Sequence, residues 1–178
     1  MSESQMLDDD EVAASEFEES YTDQREIRGA VFRESLGKVP RRPMLVVPAS
    51  ATVAEAIRLM NEAHVGCAII VRDGKLVGIF TERDVLRRVA GQIETARTSV
   101  EQVMTSQPDT LPASASIAYA LNKMSVEGYR HIPLVDGEHR PVGVVAVRDI
   151  VAWMCSLFPS SVLNLPPEPG YPKTVDGG

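Results

Sequence analysis

The sequence predicts an α+β protein made of two similar units, each strand–helix–strand–strand–helix, packed with pseudo-twofold symmetry. Three observations carry this. The chain repeats itself at an offset of about 64 residues, apolar residues alternate between helical and strand-like runs in the same order in both copies, and turn signals fall at matching places. With 44% apolar and 24% charged residues among 178, a buried core is expected. Only 5% are aromatic, so that core must be built from Val, Ile, Leu, Ala and Met.

The repeat is plainest where Pro48-Ala49-Ser50-Ala51-Thr52-Val53-Ala54 meets Pro112-Ala113-Ser114-Ala115-Ser116-Ile117-Ala118. It continues through Met60 and Met124, then Val71 and Val135. One inserted residue then shifts the offset, so that Gly78 matches Gly143 and Asp84 matches Asp149. Within each copy a short extended piece (45–47; 110–111) ends at a proline. A helix follows, with Thr52 and Glu55 spaced as a capping box and Ala56, Ile57 and Met60 on one apolar face. Ala120, Leu121 and Met124 repeat that face in the second copy. The apolar runs 65–71 and 131–135 read as buried strands. Asp73-Gly74 and Asp136-Gly137 then turn each into a second strand, 76–80 or 142–147. A closing helix spans about 82–90 or 148–157. A unit of roughly 60 residues buries too little surface to be secure alone. The two copies are therefore expected to pack sheet to sheet around one shared core, leaving two equivalent clefts between them.

These readings divide the chain into an acidic arm (1–39), a first repeat (40–98), a second repeat (99–158) and a proline-rich tail (159–178). The net charge of −7 is concentrated in the arm, leaving a near-neutral body without a basic stripe, so a nucleic-acid partner is not expected. The apolar runs are too short to span a bilayer, and the N-terminus lacks a secretory signal core. No membrane association and a cytoplasmic location are the expectations. Cys67 and Cys155 show no metal-ligand or disulfide spacing, and no Cys/His or Ser/His/Asp set suggests an enzyme.

The local pattern with most chemical content is Gly78-Ile79-Phe80-Thr81-Glu82-Arg83-Asp84, echoed by Gly143-Val144-Val145-Ala146-Val147-Arg148-Asp149. Thr81-x-x-Asp84 also reads simply as a helix N-terminal capping box. Together with the duplication and the element order, this pattern resembles the CBS domain, which occurs as tandem pairs called Bateman modules. The resemblance covers about residues 40 to 157.

It implies a regulatory module that binds an adenosine-containing ligand (AMP, ADP, ATP or S-adenosylmethionine) in the clefts between repeats, sensing energy state. It also implies a homodimer, and regulation in trans of a partner protein that the sequence does not name. The alternative is a dimerising scaffold with vestigial clefts. Carried over by residue, the better cleft would use Thr81 and Asp84, with Thr110, Leu111 and Pro133 along the base and Arg130, His131 and Arg148 toward phosphate. A carboxylate accepting from both hydroxyls of a ribose is selective for a cis-diol. The weaker cleft would use Asp149 with Val46, Val47, Ile69 and Arg83. There Ala146 replaces the hydroxyl, and Gly66 and Cys67 stand where the other copy has Arg130 and His131.

Overall fold

A computed structural model describes residues 30–157. The acidic stretch before residue 30 and the proline-rich tail, both singled out by the sequence, lie outside the described residues.

The first repeat runs β1 (Val46–Pro48), α1 (Val53–Glu62), β2 (Cys67–Arg72), β3 (Lys75–Thr81) and α2 (Glu82–Asp84). Helix α2 continues directly into a wider π-helical turn, Val85–Val89, closed by the Ala90 N–H on the Val85 carbonyl at 2.9 Å. The second repeat begins with the short strand β4 (Thr105–Ser106), followed by α3 (Ile117–Glu127), β5 (His131–Val135), β6 (Pro141–Ala146) and α4 (Val147–Leu157). The equivalent of β1 is reduced to one parallel bridge, Leu111 to Leu134, matching Val47 opposite Ile70 in the first copy.

Local chemistry explains these elements. The Thr52 and Ser116 hydroxyls accept the backbone N–H of Glu55 and Tyr119 at 3.2 Å and start α1 and α3. Only the hydroxyl half of the capping box expected at Thr52 is formed. Both halves form at Thr81 and Asp84. Helix α3 ends at Gly128 with φ 74°, a left-handed position that costs glycine little. The Asp73-Gly74 pair has φ of 50° and 75°, as a two-residue hairpin with strand-matched twist requires. In the second copy the extra residue lengthens this turn. There Asp136 Oδ1 accepts the N–H groups of Glu138 and Arg140, each at 2.9 Å.

The expected single shared core is replaced by two cores and a seam. Ala56, Met60, Ala68, Ile70 and Phe80 build the first, and Ile117, Ala120, Met124, Ile132, Leu134 and Ile150 the second. Cys67, Ile69, Leu76 and Ile79 meet Val135 and Val144 between the repeats. The reason is geometric: each helix pair covers one face of its own sheet, so only the opposite faces remain for the partner repeat.

The cores also exchange a piece. Leu36 and Val39, expected within the arm, are fully buried in the second repeat's core. The Leu36 and Gly37 N–H groups bond the Ala115 and Ala113 carbonyls at 2.9 and 2.8 Å. Their counterparts Val100 and Val103 lie in the first repeat's core, with the Val100 N–H on the Ala51 carbonyl at 2.9 Å. Strand β4 likewise pairs with β3 of the other repeat.

Candidate functional site

Two clefts lie where the repeats meet, related by the same offset as the sequence. The first has a volume of about 450 Å³, inside the range of small-molecule sites. The second retains only about 20 Å³, room for little more than a water molecule.

In the first cleft the end of β3 delivers Thr81 and the helix turn behind it delivers Asp84. Asp84 is buried, and its position is over-determined. Its Oδ2 accepts the Thr81 N–H at 2.9 Å and the Thr81 Oγ1 hydroxyl at 2.7 Å, while Oδ1 lies 3.4 Å from Arg88. Arg88 is itself anchored on the Val103 and Met104 carbonyls at 2.9 and 2.8 Å. So the capping reading of Thr81 and Asp84 is realised: Thr81 occupies Oδ2, Arg88 stands against Oδ1, and the carboxylate is held at the cleft wall. The Thr81 hydroxyl is engaged with Asp84 and serves to position it.

The cleft wall is rich in basic side chains. Arg83, Arg87, Arg88, Arg130 and His131 all line it. Among the described residues, Arg83, Arg87 and Arg130 form no ion pair with a carboxylate. Arg83 instead donates to the Gly128 carbonyl at 3.1 Å. Burial, helped by the neighbouring Arg130 and Arg148 charges, pulls the His131 imidazole below its ordinary value, so the ring favours its neutral form. On the opposite rim Asp109 accepts from the Tyr129 hydroxyl at 2.7 Å and from Lys123 at 2.9 Å. These bonds hold its carboxyl below the usual range.

Thr81, Asp84, Arg130 and His131 are thus brought together as the sequence suggested. Thr110, Leu111 and Pro133 do not line the cleft. Leu111 and Pro133 are buried and bonded to each other, Leu111 N–H to Pro133 carbonyl at 3.1 Å. The cleft is lined instead by Gln107, Pro108 and Asp109 just upstream, together with Thr105 and Tyr129. A chain that turns inward at Leu111 presents its preceding residues to the opening.

Arg83 and Arg148 exchange places relative to expectation. Arg83 lines the first cleft and Arg148 the second, because each precedes its aspartate on the same helical turn. Arg87 and Arg88 were missed, although three and four residues beyond Asp84 is the spacing that shares its helix face.

The second cleft holds Ile69, Asp149 and Arg148 with Leu45, Gly66, Cys67, Val144 and Ala146. Val46 and Val47 do not line it; Val46 is exposed and Val47 fully buried. Burial pushes the Cys67 thiol up to about 12, against a smaller downward pull from Arg148. Among the described residues, no group of His, Cys, Asp and Glu has metal-site geometry, and no helix is long and apolar enough to cross a membrane.

The family model for the CBS domain matches twice, at residues 36–91 and 100–156. A plant relative, the CBS domain-containing protein CBSCBSPB1 of Arabidopsis thaliana, is 34% identical over 124 residues, 68% of this chain but 23% of its own length. Among solved structures, a protein with CBS domains from Burkholderia ambifaria superposes with a TM-score of 0.62 at 29% identity, covering 68% of this chain and 90% of that one. The CBS domain pair of protein MJ0100, in complex with 5′-methylthioadenosine and S-adenosyl-L-methionine, gives 0.61 at 25% identity, covering 67% and 98%. With two matched copies spanning both cores and both clefts, the chain belongs to the CBS-domain family and carries two CBS domains in tandem.

Proposed function

We propose that the chain is a regulatory module that binds a phosphate-bearing adenosine ligand in the first cleft and signals its presence to a partner protein in trans. One observation carries the reading: a cleft of about 450 Å³ joins Asp84 to three arginines with no carboxylate partner among the described residues. Asp84 offers a diol acceptor. Arg83, Arg87 and Arg130 offer forked donors suited to phosphate oxygens. The adenosine ligands of the MJ0100 domain pair support the nucleoside half of the assignment. The arginines argue for AMP, ADP or ATP over S-adenosylmethionine, whose sulfonium would meet like charge.

The module acts as a homodimer in this reading. Leu86 and Val151, 75% and 51% exposed on the closing helical segments of the two repeats, offer apolar surface for a second copy. Ligand then shifts the angle between repeats only by its differential affinity for the two arrangements.

Thermal unfolding with AMP, ADP, ATP, NAD and S-adenosylmethionine tests the assignment. A ligand at a hundred times its Kd adds about 2.7 kcal/mol, or about 5–10 °C for a chain of this size. No shift with any of the five at millimolar concentration overturns it.

A further inference from the structure

Clefts related by duplication should offer the same room, and these two do not. Asp84 spends Oδ2 on the Thr81 hydroxyl and N–H, and its Oδ1 lies 3.4 Å from Arg88 of its own helical segment, which is tied back on the Val103 and Met104 carbonyls. At the matching place the second repeat has Ala146, so Asp149 has no hydroxyl three residues before it. Its Oδ1 takes Arg42 instead, with Nε at 3.2 Å, while Arg148 Nε stands off at 3.9 Å.

Arg42 comes from the segment before β1, and its neighbour Arg41 fastens that segment down. Arg41 Nη1 reaches toward the Val142 carbonyl at 3.4 Å. Its Cδ and Nη1 lie 3.1 Å from where a side chain on Gly143 would begin. In the first cleft the residues at these places, by the 64-residue offset, are Thr105 and Ser106 of β4. Short hydroxyl side chains stand at those places, Thr105 on the wall of the open cleft; here Arg42 lines the closed cleft, with Arg41 beside it against Gly143.

The geometry points to Arg42 as a built-in plug of the second cleft. Its guanidinium sits on the carboxylate that would receive a ligand's hydroxyls, so the cleft admits a ligand only when that ion pair is broken. The consequence is one adenosine ligand per chain. This rests on the adenosine reading of the first cleft, and the test separates the two.

The variant is Arg42→Ser, which imports the residue at the matching place of the other repeat, Ser106. Arg42→Gln, keeping the stem and removing the charge, is made alongside, and both are placed in the full chain carrying Cys155→Ser. Cys67 lines the second cleft and reports opening without any ligand. With methyl methanethiosulfonate at pH 8, Cys67 should be labelled at least tenfold faster in both variants than in the Cys155→Ser parent. Arg58→Ser, which breaks the surface pair with Glu62, should leave the rate unchanged. Equal labelling in parent and both variants overturns the plug.

Calorimetric titration with AMP and with 5′-methylthioadenosine should give one site per parent chain and two per Arg42→Ser chain. Two sites in the parent, or one in the variant, also overturns it. Absence of binding by either probe in every chain removes the adenosine reading, and the labelling rates then decide the plug alone.

Discussion

The two clefts descend from one unit and differ at the start of one helix. In the first, a threonine hydroxyl takes one oxygen of a buried aspartate, Arg88 of the same helical segment stands 3.4 Å from the other, and the opening beside them stays roomy and arginine-lined. In the second, alanine stands in that place, the aspartate turns to Arg42, and almost no volume remains. A duplicated scaffold preserves the position of a carboxylate far more readily than its availability. What a family pattern transfers is the placement of Asp84 and Asp149. What decides their use is which neighbours have already claimed their oxygens.

That contrast can be broken or sharpened by substitution. The largest effect belongs to the exchanged core segments. Leu36→Ala removes a fully buried side chain from the second repeat and should cost about 2–5 kcal/mol in urea unfolding. Val100→Ala, its counterpart in the first core, should cost less, having fewer carbons to lose. Wild-type stability for Leu36→Ala would show that the segment does not hold the second core.

Next come the aspartates. Asp84→Asn should weaken ligand binding by about 2–3 kcal/mol, from the loss of charge-assisted hydrogen bonds, whereas Asp149→Asn should leave affinity at the first cleft unchanged. Equal losses in the two variants, measured by titration, would erase the distinction between the clefts.

The glycines before them differ too. A side chain at Gly78 would begin 2.2 Å from the Met104 sulfur, while at Gly143 it would meet the outer part of Arg41 at 3.1 Å. Gly78→Ala should therefore cost about 1–3 kcal/mol by overpacking, and Gly143→Ala clearly less, read from the two melting curves.

The smallest effect is a pH slope. His131 binds its proton less readily when folded than when unfolded, because burial and the adjacent Arg130 and Arg148 outweigh the opposing Glu82 and Asp149. Its contribution is complete above its ordinary value of about 6.5 and is lost as pH falls from there through the lower folded value. Stability should decline over that window by no more than about 1.4 kcal/mol per pH unit. The decline should be shallower in His131→Gln, and an unchanged slope in that variant would assign the titration elsewhere.

Much of this was legible in the residues. The repeat, the order of elements and the hairpin at Asp73-Gly74 follow from local pattern and offset, and the meeting of Thr81, Asp84, Arg130 and His131 from the family resemblance that pattern supports. The exchanged segments were harder to read because so little of them repeats: Ser35 and Val39 match Ser99 and Val103, but the residues between differ. Their burial depends on contacts with the far repeat that no local periodicity encodes. The base of the first cleft was misplaced by a few residues, since strand pairing, not sequence, decides that Leu111 points inward. The closure of the second cleft lay beyond local reading as well. Arg42 and Asp149 are separated by 107 residues, and nothing near either one announces the other.

The crossing of Leu36 and Val100 into each other's repeats has a consequence for how the chain could be divided. A cut in the connection between residues 92 and 98 would yield two fragments, each carrying the wedge that completes the other. Neither half owns its whole interior, so the natural unit of folding is the interlocked pair. Mixed in solution, the two pieces should find one another and rebuild both clefts, as the halves of a split reporter do, while either piece by itself stays unfinished.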